Sequence, residues 1–232
     1  MLPFDLAVFD IAGTTVRDER FVALAFQTAL AKHDHDVEMD RLDAVMGLAK
    51  PVAIGIVLDL DPESDEVLAV FETFREEMVR FYREDDRVEP IPGAENVFRF
   101  LQENSVKVAL DTGFDREITD LILGRLGWDS TVIDASITSD EVKQGRPHPD
   151  MIHALMAELR IPSTRRVMKI GDTVSDIGEG RSAGCGLVIG VLSGTDNELA
   201  LEGENPDLIL NSVIEMLDLD FNVLAAQGSK PG

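Results

Sequence analysis

Short β-branched apolar runs alternate with stretches of helical pattern along this chain, and no other feature constrains its fold as strongly. The runs fall at 6–10, 106–111, 132–138, 167–171, 187–192 and 207–210. They are too short for most helices, and most close on Asp, Gly, Ser or Thr, so they read as strands. Helical patterns at about 94–104, 115–126, 149–160, 175–184 and 211–219 separate them. Strands alternating with helices build a parallel sheet covered on both faces, here a Rossmann-like α/β core. Ligands in such sheets bind at the carboxyl ends of the strands.

One segment interrupts the alternation. Between the first strand and the turn at 90–93 lie about 75 residues with no strand signal, reading as helices near 20–34, 39–46, 51–58 and 65–84. The last is amphipathic, with Val67, Leu68, Phe71, Phe74, Met78 and Phe81 on its apolar side. The expected organisation is an α/β core over 1–17 and 90–226, with a helical cap inserted at 18–89. A frayed tail is expected over 227–232.

Composition narrows the class further. The 232 residues are 44% hydrophobic with 18 Gly and 10 Pro, which excludes a disordered or collagen-like chain. A single cysteine, Cys185, excludes a disulfide framework and a Cys-rich zinc site, and reads as a small buried residue. No run of 18 apolar residues occurs, and the N-terminus is acidic rather than basic, so neither a membrane span nor a secretory signal is expected. The expectation is a soluble cytoplasmic protein.

Asp and Glu number 44 against 21 Lys and Arg, a formal charge of −23. Such a surface repels phosphate backbones, which argues against nucleic-acid binding. Lysine occurs only at 32, 50, 107, 143, 169 and 230, so each one is worth inspection. A chain this acidic that binds an anion must gather its few cations, or a metal, at one place.

Four loops carry the candidate chemistry. Asp10-Ile11-Ala12-Gly13-Thr14-Thr15 follows the first strand and combines a carboxylate, turning backbone N–H groups and hydroxyls. That set suits a nucleophile or metal ligand beside an anion-binding turn, although an Asp capping a turn is the plainer reading. Asp111-Thr112-Gly113-Phe114 offers a hydroxyl and N–H groups at a helix start, suited to a phosphate oxygen. Gly145-Arg146-Pro147-His148-Pro149 fixes a cation in a stiff loop, with His148 read as loop surface. Gly171-Asp172-Thr173-Val174-Ser175-Asp176 sets two carboxylates four residues apart where strand becomes helix, a pattern suited to Mg²⁺.

Taken in order, these motifs resemble the haloacid dehalogenase-like hydrolase superfamily, over essentially the whole chain and including the helical insertion. The resemblance implies that Asp10 forms an aspartyl-phosphate, that Thr112 binds the phosphoryl group and that Arg146 neutralises its charge. It places Mg²⁺ on Asp10, Asp172, Asp176 and the carbonyl of Ala12. Thr14, Thr15, Met46, Gly47 and Gly113 are the expected substrate contacts. In-line positioning with cations on the phosphoryl oxygens is what phosphoryl transfer requires.

One departure narrows the reaction. Phosphatases of the superfamily usually carry a second Asp, a proton donor, where this chain has Ala12; its loss costs an ester hydrolase roughly 10²–10⁴-fold. The branch with Ala here is phosphonoacetaldehyde hydrolase, which the chain also resembles in Ala12-Gly13-Thr14-Thr15-Val16, in Gly145-Arg146-Pro147-x-Pro149-x-Met151 and in Met46-Gly47-Leu48-x-Lys50. That resemblance implies an imine between Lys50 and a small phosphonate aldehyde, so that carbon leaves phosphorus as an enamine and no acid is needed at position 12. The lysine must then be neutral when it attacks.

Lys50 also reads as a plain substrate-binding cation, or as a surface residue at a helix start before Pro51. The branch's His three residues beyond this lysine is Ala53 here. Alternatives to the phosphonate reaction are a phosphatase for a small phosphate monoester of the phosphoglycolate type, and a non-catalytic phosphometabolite-binding protein. Further expectations are a homodimer through the cap and closure about hinges near 16–20 and 86–92. His33 and His35 read as a solvated helix end.

Overall fold

The computed structural model describes residues 2–227. β1 (Leu6–Asp10), β2 (Lys107–Thr112), β3 (Ala135–Thr138), β4 (Val167–Gly171), β5 (Leu187–Val191) and β6 (Leu208–Leu210) form one six-stranded sheet. All neighbours pair in parallel, in the order β3-β2-β1-β4-β5-β6. The strand order reverses beside β1, where a doubly wound sheet opens a crevice at its carboxyl edge. β1, β4 and β5 are buried at every position, which is why their sequences are continuous apolar runs rather than alternating ones. Successive side chains still part company: Ala7 and Phe9 pack into one core, Leu6 and Val8 into the other.

Four helices lie between β1 and β2: α1 (Phe21–Lys32), α2 (Met39–Asp43), α3 (Lys50–Leu58) and α4 (Asp65–Glu84). Ser64 caps α4 by accepting from Val67 N, and Asp65 and Glu66 stand in its first turn, where the helix dipole favours anions. The buried side of α4 is Val67, Val70, Phe74, Met78 and Tyr82. Leu68, expected on that stripe, is exposed instead, because Val70 and Tyr82 continue the 3.6-residue period more closely. The insertion joins the sheet by two touching segments: Arg17 N donates to Glu89 O (3.0 Å) and Ile91 N to Thr15 O (2.8 Å).

Beyond the insertion come α5 (Ala94–Glu103), α6 (Arg116–Leu126), α7 (Asp150–Leu159) and α8 (Val174–Ala183), followed by two short helices the pattern did not reveal, α9 (Glu198–Gly203) and α10 (Phe221–Gln227). The helix expected over 211–219 is a 3₁₀ turn, Val213–Asp218. Only Val213 and Met216 seek the core there, and a spacing of three matches the tighter 3₁₀ period. Likewise the helix expected over 39–46 ends at Asp43. Gln227 closes α10, and the rest of the expected tail lies outside the described residues. Among those residues, no helix is long and apolar enough to cross a membrane.

Candidate active site

The carboxyl ends of β1, β2 and β4 meet at a buried cluster of charge. Asp10 and Asp111 are register partners on adjacent strands. Arg146, from the loop before α7, reaches between them: Nη1 donates to Asp10 Oδ1 (2.7 Å) and lies 2.8 Å from Asp176 Oδ1. Its Nη2 donates to Asp111 O (2.8 Å) and to the Asp111 carboxylate, and Nε to Glu179 Oε2 (3.2 Å). Lys169, in the middle of β4, lies beneath, paired with Asp111, with Glu179 (2.9 Å) and with Asp176 (3.1 Å).

The electrostatics follow from that arrangement. Burial works against ionised Asp111, but Arg146 and Lys169 prevail and hold it down to about 2. Burial, reinforced by Asp111, raises Glu179 to about 8. The Asp111 and Glu179 carboxyls also interact with each other, which lowers Asp111 and raises Glu179. Asp10 is raised to about 7, chiefly by burial and against the pull of Arg146.

Asp176 sits at the third position of α8 in a capping box: Thr173 N and Oγ1 donate to its Oδ2 (3.2 and 2.6 Å), which leaves Oδ1 for the cations. Asp172 Oδ1 accepts from Thr14 Oγ1 (2.9 Å) and Oδ2 from Thr195 N (2.7 Å). Oxygens of Asp10, Asp111 and Asp176 lie within 4.8 Å of one another, a hard-oxygen set that fits a divalent cation. Asp111 stands in this closest cluster where the motif reading had put Asp172. Asp111, however, already has two cations, whereas Asp172 forms no ion pair among the described residues. Burial, with repulsion from Asp10 and Asp176, keeps Asp172 well above the usual carboxylate range. Of Asp10, Asp172 and Asp176, only Asp172 thus lacks a cation partner among the described residues, since Arg146 pairs with Asp10 and both Arg146 and Lys169 with Asp176.

A small cavity of about 30 Å³ opens over these groups, lined by Asp10, Ala12, Asp18, Val22, Met46, Gly47, Lys50, Thr112, Gly113, Phe114, Arg146, Asp172, Thr173 and Thr195. Most of the motif residues therefore converge from loops far apart in sequence. Thr112 Oγ1 accepts from Phe114 N (3.1 Å), which leaves the hydroxyl proton free. Thr14 and Thr15, expected at the substrate, are not in the lining: they are fully buried, and the Thr15 hydroxyl donates to Asp10 O (2.9 Å). Thr14 braces the Asp172 carboxylate and Thr15 the backbone carbonyl of Asp10.

Lys50 is the first residue of α3 and only 3% exposed, so the surface reading is excluded. Its Nζ has no hydrogen bond or ion pair among the described residues and stands 5.9 Å from the Phe26 ring centroid and 5.8 Å from that of Phe74. Burial drives its pKa down to about 8 despite the pull of Asp18 and Asp10. The insertion reaches the strand ends by backbone contact. A Cβ on Gly113 would stand 2.8 Å from Leu48 O, and one on Gly47 (φ +83°) 2.4 Å from Thr173 Oγ1. Glycine is what lets the 46–49 loop lie directly on the site.

Sequence reasoning placed Asp111 in a candidate loop without giving its carboxylate a role, and missed Asp18, Lys169 and Glu179. Lys169 had a signal, a lone lysine inside an apolar strand; Asp18 and Glu179 had none.

A family model for haloacid dehalogenase-like hydrolases matches residues 4–184. The chain is 32% identical to a phosphonoacetaldehyde hydrolase of Bacillus mycoides, over 93% of this chain and 87% of that one. In fold it is similar to a phosphonoacetaldehyde hydrolase-like protein from Oleispira antarctica, with TM-score 0.84 at 21% identity over 99% and 96% of the two chains. It is also similar to a predicted phosphoglycolate phosphatase from Haemophilus somnus, with TM-score 0.77 at 19% identity over 94% and 98%.

Proposed function

The chain belongs to the haloacid dehalogenase-like hydrolases, in the branch of the phosphonoacetaldehyde hydrolases, and from that premise we propose that it hydrolyses the P–C bond of a small phosphonate aldehyde through an imine on Lys50. The carrying observation is Lys50 itself. A buried, unpaired amine between two aromatic rings, facing the same cavity as Asp10, is partly neutral near physiological pH. A lysine kept only to grip an anion gains nothing from a lowered pKa.

Lys50 adds to the aldehyde carbon and expels its oxygen as water. Asp10 then attacks phosphorus while the P–C electron pair moves into the carbon skeleton as an enamine. Water hydrolyses the aspartyl-phosphate, and protonation and hydrolysis of the enamine free Lys50. Arg146, Thr112 and the N–H groups at Gly113 hold the phosphoryl oxygens. Asp10, Asp172, Asp176 and the Ala12 carbonyl would hold Mg²⁺, which would supply positive charge against the phosphoryl group. Ala12 costs nothing in this scheme, because the iminium replaces the acid that an alkoxide would need. The insertion, 18–89, acts as a cap, closing through the loop at Met46–Gly47 about the paired segments near 16–20 and 86–92. A homodimer through the cap belongs to the same reading; sedimentation showing only the 25.5 kDa species at micromolar protein removes it.

The test is phosphate release in Mg²⁺ from phosphonoacetaldehyde and from a panel of small phosphate monoesters, with chelator dialysis as control. The phosphonate is turned over, chelation abolishes the activity, and Lys50→Arg and Asp10→Asn each lose at least roughly 10³-fold. Release from esters alone that survives Lys50→Arg would make the enzyme a phosphatase. Tight binding without turnover would make it a binding protein.

A further inference from the structure

Asp18 lines the same cavity as Lys50 and Asp10. It lies in the segment that enters the insertion, where its Oδ1 accepts from Phe21 N (2.7 Å) and Val22 N (3.2 Å) at the start of α1. The other oxygen has no partner among the described residues. Every other carboxylate in the lining is committed: Asp10 to Arg146, and Asp172 to Thr14 and Thr195. Ala12 and Ala53 carry nothing that titrates. The charged and titratable neighbours of Asp18 are Lys50 from α3, Tyr82 from α4 and Arg20 on its own segment. Arg20 gives its hydrogen bonds to Asp43 (3.0 and 2.9 Å) rather than to Asp18. Asp18 and Lys50 make no direct ion pair among the described residues, and both line the cavity.

We infer that Asp18 is the acid that delivers the proton needed when Lys50 condenses with the substrate carbonyl, an inference that rests on the imine reading above. The Nζ lone pair adds to the carbonyl carbon and the C=O π pair moves to oxygen, which takes a proton from the new ammonium. Asp18 then protonates the resulting hydroxyl. The C–O bond breaks with its pair leaving on water, and the nitrogen pair closes the C=N bond. The cationic iminium is left beside an Asp18 carboxylate, and hydrolysis reverses these steps and returns the proton. Burial raises the pKa of Asp18 from its ordinary value, which shifts it toward the acid form.

The experiment mixes enzyme with phosphonoacetaldehyde, quenches with borohydride at successive times and follows the reduced lysine adduct by intact mass. Asp18→Asn and Asp18→Ser both keep an oxygen that accepts from the start of α1, so their melting temperatures stay near wild type. Both trap the adduct roughly 10²-fold more slowly than wild type. Trapping at the wild-type rate in both variants overturns the role of Asp18 and leaves the imine standing. A slow rate confined to whichever variant melts lower, with the other at the wild-type rate, also overturns it. No adduct in wild type overturns the imine reading, and the role of Asp18 with it.

Discussion

Lys169, on β4, and Lys50, at the start of α3, are both buried, yet their surroundings drive their pKa values in opposite directions. Burial penalises both ammonium groups. At Lys169, Asp111, Glu179 and Asp176 outweigh burial and the repulsion of Arg146, and the pKa rises. At Lys50 the neighbours are the rings of Phe26 and Phe74, no carboxylate is close enough to pair, and the pKa falls to about 8. The lesson is that burial by itself does not activate a lysine. What surrounds the nitrogen decides whether the residue is permanent charge or a latent nucleophile.

The most severe way to test that contrast is Lys169→Met. It leaves Asp111, Asp176 and Glu179 with Arg146 as their one buried cation, and should cost about 3–5 kcal/mol in urea unfolding. Lys50→Met removes an unpaired buried amine and should do the reverse, raising stability at pH 7 by up to roughly 3 kcal/mol while abolishing phosphate release. The sign follows from linkage: with a folded pKa of about 8 against 10.5 unfolded, the penalty is complete below pH 8, shrinks as pH rises, and is gone above 10.5. The advantage of Lys50→Met should therefore close over that window; a constant gap would mean that packing, not charge, is responsible.

Activity sharpens the comparison next. If neutral Lys50 is the attacking form, kcat/KM for phosphonoacetaldehyde falls about tenfold per unit below pH 8 and levels above it. A profile flat from pH 6 to 9 removes Lys50 as nucleophile. The smallest effect belongs to a third lysine: Lys107 is half exposed and pairs with Asp134 at 2.6 Å, and Lys107→Ala should change stability by less than about 1 kcal/mol.

Much of this was legible in the chain, and unevenly so. The strands were readable because buried parallel strands are short β-branched runs, and the loops because chemistry sits where those runs stop. Asp10, Thr112, Arg146, Asp172 and Asp176 stand out for that reason. For Thr14 and Thr15 the sequence could not show the internal bonds they make, because a hydroxyl beside a nucleophile reads the same whether it faces substrate or holds a neighbouring carboxylate or carbonyl. The segment 213–218 looked helical because two apolar residues three apart fit either helical period.

Local pattern thus determined the sheet, the inserted helices and the residue types at the strand ends, because backbone preference and alternate burial act over a few neighbours in sequence. It could not determine what those residues meet. Lys169 with Asp111, Asp18 with Lys50, and Lys50 between Phe26 and Phe74 are partners brought together from across the chain. Charge and desolvation act through space over a few ångströms, so the fold alone chose which lysine is pinned by carboxylates and which is left bare.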